Sequence, residues 1–335
     1  MTETIQTGNG SEFRDDTRRR HHLPPDVLRE LTAMNDALAW RSIALNLGVI
    51  AVLLSTGLIL WETWWWLLPA LALPIALSQQ ALFVLAHDAA HYRLFRSRAL
   101  NDRVGRMLAT VVGISMCSYR IVHRLHHNDL YGPSDPDIPL HGGYPRGRAY
   151  LAKKLLRDLA GLTAHKTYGY FFGSPSVIGG DGVRLTPLDD TAPTLRAAAR
   201  RDRWLVVAFH IAAPLCAWAA GYLPQYLILW VLPLITVLQA VLRFRAILEH
   251  GAVSDISSPL TAARTNLGPR WLIRALFPHC VNYHVEHHLY PAIPHYNLPA
   301  CHAALRDKGW LENAEVSDVF DTARKVIGPT IREAF

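Results

Sequence analysis

Two stretches of this chain, residues 42–92 and 204–242, contain neither lysine nor arginine, and no other feature restricts the fold as much. A cation at the centre of a bilayer costs about 2.5–3.5 kcal/mol on insertion scales, so long apolar sequence without cations reads as lipid-embedded. Both tracts exceed what one crossing needs at ~1.5 Å per residue. Glu62 and Thr63 interrupt the first, and Gly221 and Pro224 the second. Each therefore reads as a helical hairpin, with spans at about 42–60 and 65–85, then about 204–220 and 225–242. Trp61, Trp64, Trp65 and Trp66 beside the first turn, and Tyr222 and Tyr226 beside the second, fit interfacial belts.

The rest of the composition agrees with a membrane protein. Half of the residues are hydrophobic, 18% are charged and the mean hydropathy is positive, a balance unusual for a soluble domain. The net charge of +7 does not point to nucleic acid, because the basic residues avoid the two tracts and are not interleaved with aromatics along one soluble domain. Both hairpin turns lack Lys and Arg, so the positive-inside rule puts the termini and the middle segment in the cytoplasm. Arg18, Arg19, Arg20, His21 and His22 read as a juxtamembrane run drawn to anionic lipid, with no cleavable signal peptide. Cys117, Cys216, Cys280 and Cys301 have no CxxC spacing and support neither a disulfide framework nor a thiolate metal site.

The expected fold is all-α and integral to the membrane: four transmembrane helices in two hairpins, with a cytoplasmic helical cap. Residues 1–41 form a cytoplasmic segment, 42–305 the membrane domain and 306–335 a second cytoplasmic segment. Within the cap, Met107–Cys117 is too short to cross and reads as an interfacial or re-entrant helix. Leu151, Leu155, Leu156, Leu159 and Leu162 follow helical spacing beside Lys153, Lys154 and Arg157, as in a helix lying on the membrane surface. Residues 173–193 read as an exposed loop.

Seventeen histidines are present, and eight fall into three tight groups: His87 and His91 (HDAAH), His123, His126 and His127 (HRLHH), and His284, His287 and His288 (HVEHH). Spacings of three and four put side chains on one helical face, ~5–6 Å apart between Cβ atoms. Neutral imidazole is a good ligand for iron, zinc or copper, and eight imidazoles exceed the shell of one ion, so two metals are implied. The expected topology brings all three groups to the cytoplasmic side. A metal-bound imidazole usually donates its other N–H to an acceptor, and Asp88, Asp135, Asp137, Glu249 and Glu286 are positioned for that role. His210 lies inside the third span and is expected to pair within the bundle. His141, His165, His279, His295 and His302 have no ligand spacing and read as structural.

The series HxxxH, HxxHH, HxxHH with paired hydrophobic hairpins resembles the membrane fatty acid desaturase and hydroxylase superfamily. The likeness runs from about residue 40 to residue 305. It is closest over 282–294 (NYHVEHHLYPAIP) and at Asp135-Pro136-Asp137. The resemblance implies a diiron centre with a nearly all-histidine shell, ligated by the eight clustered histidines, which activates O2 against an unactivated C–H bond. It adds His250 as a ninth ligand. The sequence departs from the pattern at Ala246, where some animal desaturases carry Asn, and so lacks that residue for holding a water on the metal.

The expected activity is desaturation of a lipid or fatty acyl chain, with hydroxylation, ketolation or oxidative decarboxylation on the same scaffold as alternatives. No cytochrome b5-like, flavin or Fe–S motif accompanies the histidines, so an external donor is implied, whether ferredoxin, rubredoxin or a cytochrome b5-type protein. The expected address is a bacterial inner membrane. A zinc-dependent lipid hydrolase is the competing class, but its usual three ligands and one open position leave most of these histidines unused.

Overall fold

The computed structural model describes residues 23–173 and 191–329, together with the backbone of a small antiparallel pair, β1 (Val177–Ile178) and β2 (Arg184–Leu185), inside the segment expected as a loop. The basic run at 18–22 lies outside the described residues.

The long tracts fold as long helices that outrun their expected bounds. Helix α1 covers Asp36–Thr63 and is capped by Asn35, whose side chain accepts from Ala37 and Leu38. A 3-10 turn at Trp65–Leu67 then leads into α2, Leu68–Ala90. Two cap helices follow, α3 (Arg98–Val111) and α4 (Met116–Asn128). The apolar stretch 107–117 is thus not one interfacial helix. It is split by a turn at Gly113, whose φ of +80° suits a residue without a Cβ. Helices α5 (Arg148–Leu159) and α6 (Ala164–Phe171) complete the middle segment. On α5, Leu151 is buried while Leu156 is 64% exposed.

Helix α7 covers Pro193–Ala219, and a kinked helix α8 runs over Leu223–His250. Pro233 removes an N–H from the α8 ladder, the preceding Leu227–Val231 is π-wound, and the Gln79 amide donates to the Trp230 carbonyl at 2.9 Å. The C-terminal third supplies β3 (Thr265–Leu267), α9 (His284–Leu289), α10 (Leu298–Asp307) and β4 (Val316–Asp318), with β3 and β4 paired in parallel from Thr265↔Val316.

Among the described residues, three helical stretches are long and apolar enough to cross a membrane: Pro25–Thr63, Trp65–Ala90 and Leu223–His250. Helix α7 is not among them. Its first turns carry Arg196, Arg200, Arg201 and Arg203, and its apolar part includes His210 and Pro214, so three of the four expected spans are visible by length and composition. His210 donates from Nε2 to the Thr110 carbonyl, 2.9 Å away, which keeps it in the bundle and out of the histidine clusters.

Large apolar side chains point outward, among them Ile59, Trp65 and Trp218, whereas Asn46, Gln79, Gln80 and Gln239 are buried and donate to backbone carbonyls. An apolar exterior over a hydrogen-bonded polar interior is the pattern of helices surrounded by lipid. Leu223–Tyr226 packs on α1, and Leu229 just beyond it clusters with Leu60 and Trp61 near the end of α1, so the two hairpin turns meet at one end of the bundle. The C-terminal ends of α2 and α8, with His87, His91 and His250, lie at the other.

Candidate metal centre

The histidines sit on helix ends that arginines hold in place. Arg120 of α4 reaches the last turn of α2, donating from Nε to the Ala90 carbonyl at 3.0 Å and from Nη2 to that of Ala89 at 3.0 Å, while Nη2 also meets Asp102 at 2.8 Å. One guanidinium thus satisfies orphan carbonyls of the helix bearing His87 and His91 and ties it to the helix bearing His123, His126 and His127. The other end of α4 is set by Asp202 of α7, which accepts from the Cys117 N–H at 3.0 Å and from Arg106 at 2.8 Å. Arg264, fully buried, donates to the carbonyls of Leu248, Gly251 and Ala252 and pairs with Glu315 at 2.9 Å. It closes the C-terminus of α8 just where His250 projects. Helix C-termini carry negative partial charge, so this convergence favours a cation.

The nine candidate imidazoles meet in two adjoining nests. His87, His91, His123, His127 and His287 offer nitrogens that all lie within 4.8 Å of one another, and a second group holds His126, His250 and His288 in the same way. His284 joins the second group, with Nε2 2.8 Å from His250 Nε2 and 3.3 Å from His288 Nε2. In the first nest, His127 Nε2 stands 3.0 Å from His123 Nε2 and 3.1 Å from His287 Nε2. The nests touch where His127 and His288 stack at 4.3 Å between ring centroids.

Each HxxHH motif is divided between them. On α4 the i, i+4 pair His123 and His127 enters the first nest and His126 the second. On α9 the pair His284 and His288 enters the second nest and His287 the first. Neighbours in sequence point ~100° apart on a helix, so each double histidine straddles the boundary.

This donor set fits metal. Two nitrogens bound to one ion at ~2.0–2.1 Å lie roughly 2.8–3.4 Å apart, and the Nε2 pairs here are 2.8–3.3 Å apart. Burial, reinforced by neighbouring imidazoles, holds His123, His127, His284, His287 and His288 well below the ordinary imidazole range. They are kept in the neutral form that ligates.

His126 differs: burial lowers it, but Asp135 and Asp137 outweigh that and push it up to about 9. Its Nδ1 meets Asp135 at 2.9 Å and Asp137 at 3.6 Å, leaving Nε2 for the nest. His250 donates from Nδ1 to the Ala262 carbonyl at 3.1 Å. Glu249 stands 4.0 Å from His284 Nδ1, and Asp88 3.6 Å from His87 Nδ1.

Glu286 does not take the place expected of it. It is turned away from every clustered imidazole and accepts from Thr265 Oγ1 and His302 Nδ1, each at 2.6 Å. On a helix it lies ~200° from His284 and ~100° from His287, so it faces β3 and α10 while the histidines face the nests. Its work is to seat α9.

The structure also places two histidines that spacing did not single out. His295 bonds Asp88 at 2.7 Å. His141 is 1% exposed and stands 4.8 Å, ring to ring, from His250, with neither ring nitrogen partnered. His141 belongs to no periodic motif, and only its position after Asp135 and Asp137 in the loop following the second cluster hinted at the site.

A cavity of about 810 Å³ opens onto the nests, within the range of ligand pockets. His87 and His123 of the first nest and His126, His250 and His284 of the second line its floor; Phe83, Tyr119, Phe171 and Val281 supply apolar wall, and Lys153, Lys154, Arg157 and Lys166 its basic side.

The model of one family, fatty acid desaturase, matches residues 62–313. The chain belongs to the fatty acid desaturase family. Its relatives include a dihydrorhizobitoxine desaturase of Bradyrhizobium elkanii, 26% identical over 75% of this chain and 71% of that protein. A β-carotene ketolase of Paracoccus sp. (strain PC1) is 26% identical over 76% of this chain and 90% of the other. An sn-1 acyl-lipid omega-3 desaturase (ferredoxin) of Synechocystis sp. is 25% identical over 68% and 64%. As a desaturase-family member the chain is a membrane oxidoreductase acting on fatty acyl chains, with a histidine site of the type that holds iron. That membership removes the zinc hydrolase from contention.

Proposed function

We propose that this chain is an O2-dependent diiron acyl desaturase, in which His87, His91, His123, His127 and His287 hold one iron and His126, His250, His284 and His288 the other. The observation that carries the reading is the division of nine buried imidazoles into two nests beside one cavity. Two bound irons, with O2 and two electrons from outside, supply the oxidation of an unactivated C–H bond.

The protein's own residues do the rest. Phe83, Tyr119, Phe171 and Val281 hold an alkyl chain beside the nests and keep water from it. Lys153, Lys154, Arg157 and Lys166 suit the polar head of an amphiphile. Asp135 retains the Nδ1 proton of His126, fixing the tautomer that turns Nε2 to the metal. The electron donor is a ferredoxin, a rubredoxin or a cytochrome b5-type protein, and the ferredoxin in the name of the Synechocystis relative favours the first.

The topology belongs to the same proposal. Helix α7 serves as the fourth span, residues 42–305 form the membrane domain, and both termini face the cytoplasm of a bacterial inner membrane. In a cysteine-free background, cysteines placed at Thr63 and Gly221 react with an impermeant reagent from outside and one at the exposed His165 does not; the reverse pattern overturns the topology.

The decisive experiment is aerobic against anaerobic turnover with reductant in host lipid extract, products read by mass. Desaturation consumes O2, two electrons and two protons, releases two waters and leaves the product two hydrogens lighter. Gain of oxygen instead would assign hydroxylation or ketolation, and loss of the carboxyl carbon oxidative decarboxylation. Turnover without O2 overturns the reading.

A further inference from the structure

We infer that His295, its ring oriented by Ser42, holds Asp88 in place and so positions the His87 ring for the first metal; the inference rests on the two-metal reading above. His295 lies 207 residues from Asp88 in sequence, yet its Nδ1 is 2.7 Å and its backbone N–H 3.1 Å from the same carboxylate oxygen, Asp88 Oδ2. Its other ring nitrogen, Nε2, is 3.0 Å from Ser42 Oγ. Asp88 Oδ1 is 3.6 Å from His87 Nδ1, and Asp88 is the one carboxylate within 4.0 Å of that atom among the described residues. His87 Nδ1 is buried and makes no hydrogen bond, so Asp88 acts on it through its charge at 3.6 Å.

The donor directions make one consistent arrangement. A carboxylate only accepts, so His295 donates from Nδ1 and carries its lone pair on Nε2, to which the Ser42 hydroxyl donates. The remaining carboxylate oxygen then favours the proton on His87 Nδ1, and His87 Nε2 is left as the ligand nitrogen. Three separate parts of the chain meet here: the start of α1, the end of α2 and the 3-10 turn His295–Asn297.

The His295 turn is itself held by an unusual backbone. His279 packs on the His295 ring at 5.2 Å, and it and Cys280 are consecutive non-glycine residues with φ of 55° and 58°. Left-handed non-glycine residues persist where the surroundings over-determine them, and they cluster at functional sites. None of Ser42, Asp88 and His295 lines the cavity, so the arrangement supports the first nest from behind and leaves substrate untouched.

Asn and Gln at position 295 separate the two halves of this arrangement. Asn puts an amide N–H near where Nδ1 stood and keeps the donor to Asp88; Gln puts it near Nε2, keeps the contact to Ser42 and loses Asp88. In the full-length protein loaded with cobalt(II), His295→Asn retains two metals per chain and the wild-type visible spectrum. His295→Gln weakens one of the two metals about 10–100-fold in chelator competition, the loss typical of an outer-sphere partner, and shifts the spectrum of that metal alone.

Equal metal affinity in the two variants, whether both normal or both lost, overturns the inference. The readout needs no turnover, so it stands apart from the choice between desaturation and oxygenation. Absence of a second metal from the unsubstituted protein would instead overturn the two-metal reading itself.

Discussion

The two nests are built from the same residue type and supported differently. The first takes five imidazoles from three helices, and one carboxylate, Asp88, stands behind it. The second takes four and is surrounded by Asp135, Asp137 and Glu249, with His141 at its edge. The cavity touches His87 and His123 of the first nest but His126, His250 and His284 of the second, together with Asp137, Glu249 and His141. An ion held in the first nest would therefore be the more enclosed by protein, while the second nest has fewer nitrogens, more carboxylates beside it and more of its lining on the cavity. Imidazole count and carboxylate count move in opposite directions, as they would if one position must stay free beside the substrate.

Removing one imidazole from each nest gives the largest expected effect. His250→Ala takes one of four, and the iron content should fall from about two per chain to about one, with turnover reduced by more than the roughly 10–100-fold that outer partners cost. His91→Ala takes one of five and should keep the larger share of both iron and activity. Elemental analysis and turnover on the same preparations check this, with the exposed His165→Ala as control, since a surface substitution rarely exceeds about 0.5 kcal/mol. Full iron in His250→Ala, or both irons lost equally from the two variants, would erase the distinction between the nests.

What the sequence disclosed follows from periodicity. Hydrophobic tracts without cations marked α1, α2, the apolar part of α7 and α8, and i, i+3, i+4 spacing marked eight histidines, because both patterns repeat along one helix. The partition of each double histidine between two nests was not legible, since it depends on how α4 and α9 face each other. The same holds for His295 and His141, whose partners, Asp88 at 2.7 Å and His250 at 4.8 Å between rings, come from elsewhere in the chain. Spacing misled at Glu286: it lies within HVEHH, yet helical geometry turns it to Thr265 and His302. Helix α7 falls short of the other expected spans in length and composition because Asp202 anchors Arg106 and α4 and so brings charge to the edge of an apolar tract.

The carboxylates offer the next test. Asp135→Asn removes the charge behind the His126 Nδ1 proton and turns one of two accepting oxygens into a donor, so the metal of the second nest should weaken about 10–100-fold while the first is unchanged. Glu286→Gln should leave both metals in place and lower the melting temperature, because one of the two buried oxygens that accept from Thr265 and His302 becomes an amide donor. Chelator competition and thermal unfolding separate the two. Metal loss from Glu286→Gln without destabilisation would restore it to the site.

The pH response of the metal-free protein should also divide the nests. For His123, His127 and His287 of the first, burial and neighbouring imidazoles lower the folded-state pKa, so the unfolded chain binds more protons just below about 6.5. Their contribution to stability is present above that pH and is lost as pH falls below it. His284 and His288 behave alike in the second nest, but His126 is held up at about 9 by Asp135 and Asp137 against burial, so its contribution is complete below about 6.5 and lost as pH rises through 9. Unfolding midpoints of the metal-free protein should fall on both sides of that window, and Asp135→Asn should flatten the alkaline side only. A midpoint that keeps rising above pH 9 would contradict the pairing.

His141 gives the smallest effect and settles the count. Its ring is buried against His250 and Tyr131, Nε2 is 4.0 Å from Asp135, and burial pushes it down to about 3, so it is a neutral imidazole with two unused nitrogens beside the second nest. If it were a ligand, both nests would hold five imidazoles and the asymmetry would vanish. It is absent, however, from the group in which His126, His250 and His288 offer nitrogens within 4.8 Å of one another, and meets His126 only in a grouping that includes Asp135. Its ring also lines the cavity. His141→Phe should therefore keep two irons per chain. Removing an unpartnered polar group from a buried position is near neutral or slightly stabilising, so the melting temperature should hold or rise a little. The expected change is a few-fold rise in KM with kcat retained, because the substrate meets a different wall while the metals are undisturbed. Loss of one iron from His141→Phe would make the nests equal, and the free position beside the substrate would then have to be sought elsewhere.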